Sequence, residues 1–176
     1  MSELVIELKH AAHSKQVADI AEETIKNVYP RYYPAGAVQF FLNLHCEERI
    51  NMAMEKEKIY LVFAGDYVVG TGSIRENEIC RLFILPEYQQ KGYGSQLMDV
   101  LEKQVFQNYP VIHIDASFPA ESMYLKRGYK IISYEKIETE NGDFLCERAG
   151  FLSSVAEGCG RGCQRLSGGY LFPHVG

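Results

Sequence analysis

The sequence predicts an α/β domain, a mixed sheet with helices on its faces. Two periods occur along one chain: apolar residues alternate in some segments and recur at helical spacing in others. Short turn pairs, Gly65-Asp66, Glu76-Asn77 and Asn141-Gly142, separate the alternating runs. Strands and helices then interleave in the second half, from Gly94 to Gly128.

Leu4, Ile6 and Leu8 alternate with Val5, Glu7 and Lys9, which predicts a first strand. Ser14 is suited to cap a helix whose apolar positions are Val17, Ile20, Ala21, Ile25 and Val28. The segment from Tyr29 through Pro30 and Pro34 to Gly36 breaks that helix. A second helix is predicted from Ala37 through Cys46, continuing to about Met54. Ile59 to Ala64 and Tyr67 to Ile74 read as a hairpin around Gly65-Asp66. Glu78 to Leu85 is the next strand, closed by Pro86. From Gly94 onward, Leu97, Met98, Leu101 and Val105 share one helical face. Val111 to Ala116 is a strand, and Pro119 and Gly128 suit the start and left-handed end of another helix. Tyr129 to Ile137 and Asp143 to Ala149 form a last hairpin, for which Asn141-Gly142 predicts a type I′ turn.

A length of 176 residues suits one domain and is tight for two. We expect it to span residues 1–149. Residues 150–176 are rich in Gly and Ser and show neither period, so they read as a tail. Hydrophobic residues at 47% and charged residues at 23% are those of a globular chain. The net charge of -5, without any run of Lys and Arg, argues against a nucleic-acid partner. No stretch approaches the ~20 apolar residues of a membrane helix. The five cysteines (46, 80, 146, 159 and 163) are odd in number and scattered. Together with a start that lacks a basic-then-apolar leader, they lead us to expect reduced thiols in a cytoplasm. Cys159 and Cys163 are loosely spaced with no second ligand pair near them, so no metal is expected.

Gln89-Gln90-Lys91-Gly92-Tyr93-Gly94-Ser95 lies between a strand and a helix. Two glycines let the backbone turn tightly and come close to a ligand. The freed amides and the helix N-terminus favour phosphate, and Lys91 adds charge. A plain turn capping a helix fits the composition equally well. Two other phosphate motifs fail. A Walker loop needs Gly-Lys before Ser or Thr, and here Gly94 directly precedes Ser95; a dinucleotide fingerprint needs Gly where Leu97 stands.

The run from Arg81-Leu82-Phe83-Ile84-Leu85-Pro86 to Gln89-Gln90-Lys91-Gly92-Tyr93-Gly94 resembles the central motif of the GNAT superfamily of N-acetyltransferases. Ala120-Glu121-Ser122-Met123-Tyr124-Leu125-Lys126-Arg127-Gly128-Tyr129 resembles that family's second motif. The resemblance implies a GNAT-like acyl-CoA N-acyltransferase fold, with a largely antiparallel sheet whose central strands splay apart. It implies acetyl-CoA as co-substrate. The backbone of Leu82, Phe83 and Ile84 would pair with the pantetheine arm, and an amide near Leu82 would hold the acetyl carbonyl. Gln89, Gln90, Lys91, Gly92, Tyr93, Gly94 and Ser95 would cradle the pyrophosphate. Tyr124 would be the general acid for the departing thiolate. The family often has Asn seven positions before that Tyr; here it is Ser117, which can still donate a hydrogen bond. Family members often form dimers, so the resemblance allows a homodimer.

An alkyl ammonium has a pKa near ~10, so only about one molecule in a thousand is the free nucleophile at neutral pH, and a base helps. Glu78, on the strand before the loop, is the leading candidate, at a position where some family members carry a catalytic Glu. His113 and His45 are further candidates. Cys80 reads as core, since direct transfer needs no covalent intermediate. Tyr29, Arg31, Tyr32 and Tyr33 crowd the break between the first two helices. They would line an acceptor pocket for an apolar or cationic amine, or simply pack a stiff turn. The expected activity is acetyl transfer to a primary amine of a small molecule. A protein N-terminus or lysine as acceptor, and a non-catalytic acyl-CoA-binding module, are the alternatives.

Overall fold

The computed structural model describes residues 7–10 and 12–153, with side chains from residue 12 onward. Its elements in order are β1 (Glu7–His10), α1 (Ser14–Val28), α2 (Ala35–Leu44), α3 (Glu47–Ala53), β2 (Lys58–Ala64), β3 (Tyr67–Arg75), β4 (Glu78–Ile84), α4 (Tyr93–Val105), β5 (Val111–Ala116), α5 (Phe118–Lys126), β6 (Lys130–Glu138) and β7 (Phe144–Ser153). The strands form one sheet in the order β1-β2-β3-β4-β5-β7-β6. Every pairing is antiparallel except β4 with β5. This is the mixed, largely antiparallel sheet expected.

Four details differ from the sequence reading. The residue capping α1 is His13, and Ser14 is the first helical residue, buried and making no cap. The second predicted helix is two, α2 and α3, because the chain leaves helical geometry at His45 and Cys46. The last hairpin is not a type I′ turn, since Gly142 has positive φ and Asn141 does not. Thr139 N–H donates to Asp143 O and Gly142 N–H to Thr139 O, the pattern of a three-residue loop with Gly in its left-handed position. Strand β7 runs on through Gly150 to Ser153, where it pairs with Val111. Residues 154–176, with Cys159 and Cys163, lie outside the described residues.

Helices cover both faces, and strand alternation sorts the side chains between them. Ile59 and Leu61 of β2 meet α1 and α2 around Ile25, Ala37 and Phe41. Tyr60 and Val62 point to the other face, where Leu97, Met98, Leu101 and Val105 of α4 are almost wholly buried. Each such side chain stabilises by roughly 1.5–3 kcal/mol. The close approach of α4 requires Gly72, because a Cβ there would lie 3.0 Å from both Leu97 and Leu101.

Strand β4 departs from simple alternation. Its register against β3 slips between Thr71 and Ser73, and Arg81 has φ 52°, in the left-handed region. That is a β-bulge. It explains why Ile79 and Ile84, five residues apart, share one core while Phe83 belongs to the other.

Candidate functional site

Strands β4 and β5 begin as partners and then separate. Glu78 pairs with His113 and Ile79 with Ile114, and no further pair follows among the described residues. On its other side β4 stays paired with β3 up to Ile84. The stretch from Cys80 to Phe83 therefore presents an open main-chain edge toward β5. A cavity of about 130 Å³ lies in the opening.

The bulge is fixed by buried charge. Arg81 Nε donates to Glu57 Oε2 at 3.0 Å, and the two side chains are only 5% and 3% exposed. Ser73 Oγ donates to the same carboxylate at 2.8 Å. Arg81 Nη1 lies 2.9 Å from His45 Nδ1. An arginine can only donate, so that ring nitrogen accepts and the proton sits on Nε2. Burial, aided by the neighbouring guanidinium, lowers the His45 pKa to about 3. His45 lines the cavity as a neutral ring and is a poor base. The left-handed backbone at Arg81 costs on the order of 1 kcal/mol, which this network holds in place.

Tyr124 from α5 lines the cavity from the opposite face of the sheet. It is 94% buried, packs edge-on against Tyr129 at 5.4 Å, and its hydroxyl makes no hydrogen bond among the described residues. Burial pushes its pKa up, so it keeps its proton. Ser117 also lines the cavity, with its hydroxyl 3.1 Å from that of Tyr29. Burial raises the Tyr29 pKa to about 12.

The loop after β4 opens outward. Gln90 and Gly92 both have positive φ, at 58° and 92°. No backbone carbonyl among the described residues accepts from the amides of Gln90 through Ser95; the first such bond in α4 is from Gln96 to Gly92. Gln90, Lys91, Gly92 and Ser95 are exposed. Gln89 ties the loop to the strand, its Nε2 donating to Ile84 O at 2.9 Å. A Cβ on Gly94 would fall within 4 Å of Ile84 and Met123, so the loop spans from the end of β4 to the helix bearing Tyr124. The Tyr93 ring is core, set against Tyr88, so only its main chain faces a ligand.

The four residues at the helix break part company. Tyr29 lines the cavity. Tyr33 is buried, stacks on Phe118 at 5.3 Å, and accepts the Phe118 amide at 2.8 Å, closing the α5 N-terminus. Arg31 and Tyr32 are exposed and are not among the cavity-lining residues. The proline-bearing turn rotates them outward, away from the cavity that Tyr29 lines. His113 is also absent from the lining.

Glu78 lines the cavity and pairs with Arg75; burial raises its pKa, opposed by that arginine. Sequence reasoning missed three further carboxylates there: Asp115, Glu135 and Glu147. Glu147 and Glu135 are register partners on β7 and β6. Burial raises the Glu147 pKa to about 7, with Asp115 and Glu135 adding to the effect. The signal was present: Glu147 lies two residues from Leu145 and two from Ala149, both buried, and so shares their inward face of the strand.

That shift has a consequence for stability. A carboxyl raised above its unfolded value favours the native state at low pH, and the benefit fades as pH rises through about 7. Glu147→Gln is therefore expected to be more stable than the parent by about 2 kcal/mol at pH 8, with the difference shrinking as pH falls from about 7 and largely gone by about pH 4. Urea unfolding at both pH values checks this. A constant difference would mean that Glu147 titrates normally.

A family model described as an acetyltransferase (GNAT) domain matches residues 17–142. No curated protein matches the chain. The crystal structure of a GCN5-related N-acetyltransferase, described as a class-II aminotransferase, from Rhodopseudomonas palustris superposes with a TM-score of 0.76 at 20% identity, over 87% of this chain and 97% of that one. PaiA N-acetyltransferase from Thermoplasma acidophilum, in complex with coenzyme A, gives 0.60 at 20% identity over 81% and 98%. A Bacillus subtilis acetyltransferase in complex with CoA gives 0.60 at 19% identity over 87% and 100%. At these identities the three establish the shared fold. The splayed sheet, the two motifs within residues 17–142 and the matching family model agree, and the chain belongs to the GNAT acetyltransferase family.

Proposed function

We propose that the protein transfers an acetyl group from acetyl-CoA directly to a primary amine of a small molecule. The observation that carries this reading is the unpaired edge of β4 beside Tyr124, which lines the same cavity and whose hydroxyl has no hydrogen-bond partner among the described residues. The residues suit the co-substrate. The edge from Leu82 to Ile84 would take the pantetheine arm, and the unbonded amides of Gln90 to Ser95 would take the pyrophosphate, assisted by Lys91 and the α4 N-terminus. Acetyl-CoA, when bound, supplies an acyl thioester.

The chain's own groups then divide the work. An amide near Leu82 polarises the carbonyl. Glu78 accepts a proton from the ammonium, freeing the nitrogen lone pair. As the new C–N bond forms the C–S bond would break, Tyr124 giving its proton to the thiolate, and the second proton left on the acylated nitrogen would return to the Tyr124 oxygen, directly or through water, so that the amide is neutral and the phenol restored. Ser117 would contact the cofactor arm once its hydroxyl turns from Tyr29. The cavity is walled by side chains from several elements, which favours a small amine over an extended peptide.

Acetyl-CoA at a hundred times its Kd is expected to stabilise the protein by about 2.7 kcal/mol, read as a rise in Tm. Thiol release should then appear with a small primary amine. Stabilisation without thiol release for any amine would point to a binding module. No stabilisation would remove the cofactor reading altogether.

A further inference from the structure

Helix α5 is held by polar ties more than by an apolar face. Tyr124 is the one buried residue among its nine, from Phe118 to Lys126. At its N-terminus the Phe118 amide donates to the Tyr33 hydroxyl at 2.8 Å. In its middle Glu121 pairs with Arg148 of β7. At its C-terminus Arg127, the residue that ends the helix, turns to α4. The Arg127 Nε donates to Glu102 Oε1 at 2.9 Å and Nη2 to Glu102 Oε2 at 2.6 Å, a two-pronged charge-assisted contact. Nη2 also meets Asp99 Oδ1 at 2.5 Å, and Nη1 reaches the Ser95 carbonyl at 3.4 Å. Ser95, Asp99 and Glu102 follow one ridge of α4, so a single guanidinium grips that helix from its first turn onward.

The two helices have separate tasks in the acetyl transfer proposed above, on which this step rests. The open amides at the start of α4 take the diphosphate, and α5 carries Tyr124 into the cavity. We infer that Arg127 is a positioning residue that couples occupation of the diphosphate cradle to the placement of the Tyr124 hydroxyl. Arg127 is not itself among the cavity-lining residues. Helix α4 starts on Gly92 with no side-chain cap, so an anion seated there fixes its first turn, and the Ser95 carbonyl with it. Arg127 passes that constraint to the last turn of α5. Its amide and that of Tyr129 both donate to the Tyr124 carbonyl, at 3.1 Å each, so the residue that grips α4 is bonded to the main chain of the acid. Binding energy from the part of the coenzyme that does not react thereby helps to align the part that does.

The test removes the diphosphate from the donor and the guanidinium from the protein, singly and together. The donors are acetyl-CoA and S-acetylpantetheine, which keeps the thioester and the arm but lacks the diphosphate. The acceptor is the best of a panel of small primary amines such as n-pentylamine and benzylamine, and thiol release at saturating donor gives kcat. In the parent, kcat with S-acetylpantetheine is expected to be lower by roughly tenfold or more. In Arg127→Met, kcat with acetyl-CoA should fall to about the S-acetylpantetheine value, while kcat with S-acetylpantetheine stays as in the parent. Arg127→Lys keeps the charge and loses the fork, and should show the same pattern at smaller amplitude; it carries the test if the methionine variant does not fold. Equal kcat for the two donors in the parent, or an equal loss with both donors in the variants, would overturn the coupling and leave acetyl transfer standing. Weaker acetyl-CoA binding with kcat retained would also overturn it, since the guanidinium would then hold the diphosphate directly. Stabilisation of the parent by acetyl-CoA with no thiol release for any amine would overturn both readings.

Discussion

Arg81→Met is expected to destabilise the protein by about 3–5 kcal/mol, because it leaves Glu57 charged and buried without its cation. At 3% exposure Glu57 cannot turn to water, and Ser73 alone supplies one hydrogen bond where the arginine supplied a charge. Urea denaturation measures the loss. The pair can be separated from its packing with a second variant. Adding Glu57→Gln to Arg81→Met removes the stranded charge, so the double variant should recover part of the loss. A single-variant loss below about 1 kcal/mol would show that the pair does not hold the bulge. The effect also reaches the site, since the strand that Arg81 kinks presents the open main-chain edge.

Tyr124→Phe is expected to lower kcat by about a hundredfold or more, within the range ascribed to a positioned acid. Acetyl-CoA affinity should change little, because the substitution removes one hydroxyl and keeps the ring against Tyr129. Stability should be unchanged or slightly higher, since that hydroxyl has no partner among the described residues to lose. Steady-state kinetics with thermal melting in parallel separates these outcomes. Unaltered turnover in a folded variant would remove Tyr124 from the chemistry.

Much of this was legible in the chain. The hairpin of β2 and β3, the loop at Gln89 to Ser95 and the buried face of α4 follow from local spacing, because one residue's neighbours fix them. What could not be read is what depends on distant pairing. Arg81 looked like the edge of an apolar motif, yet it meets Glu57, 24 positions earlier, inside the protein. Glu147 stood in a strand whose alternation marked it as inward-facing, but only the insertion of β7 between β5 and β6 brings it to Asp115 and Glu135. The tyrosines at the helix break shared composition and nothing more. Their fates divided because Tyr29 and Tyr33 turn inward while Arg31 and Tyr32 turn to water.

The kink at Arg81 also changes the parity of its strand. Residues before it and after it count from different origins, so one short segment can furnish side chains to both halves of the interior in unbroken succession. A half-step in phase thus lets the same six or seven residues seal two hydrophobic compartments and still leave one flank of their peptide groups unspent.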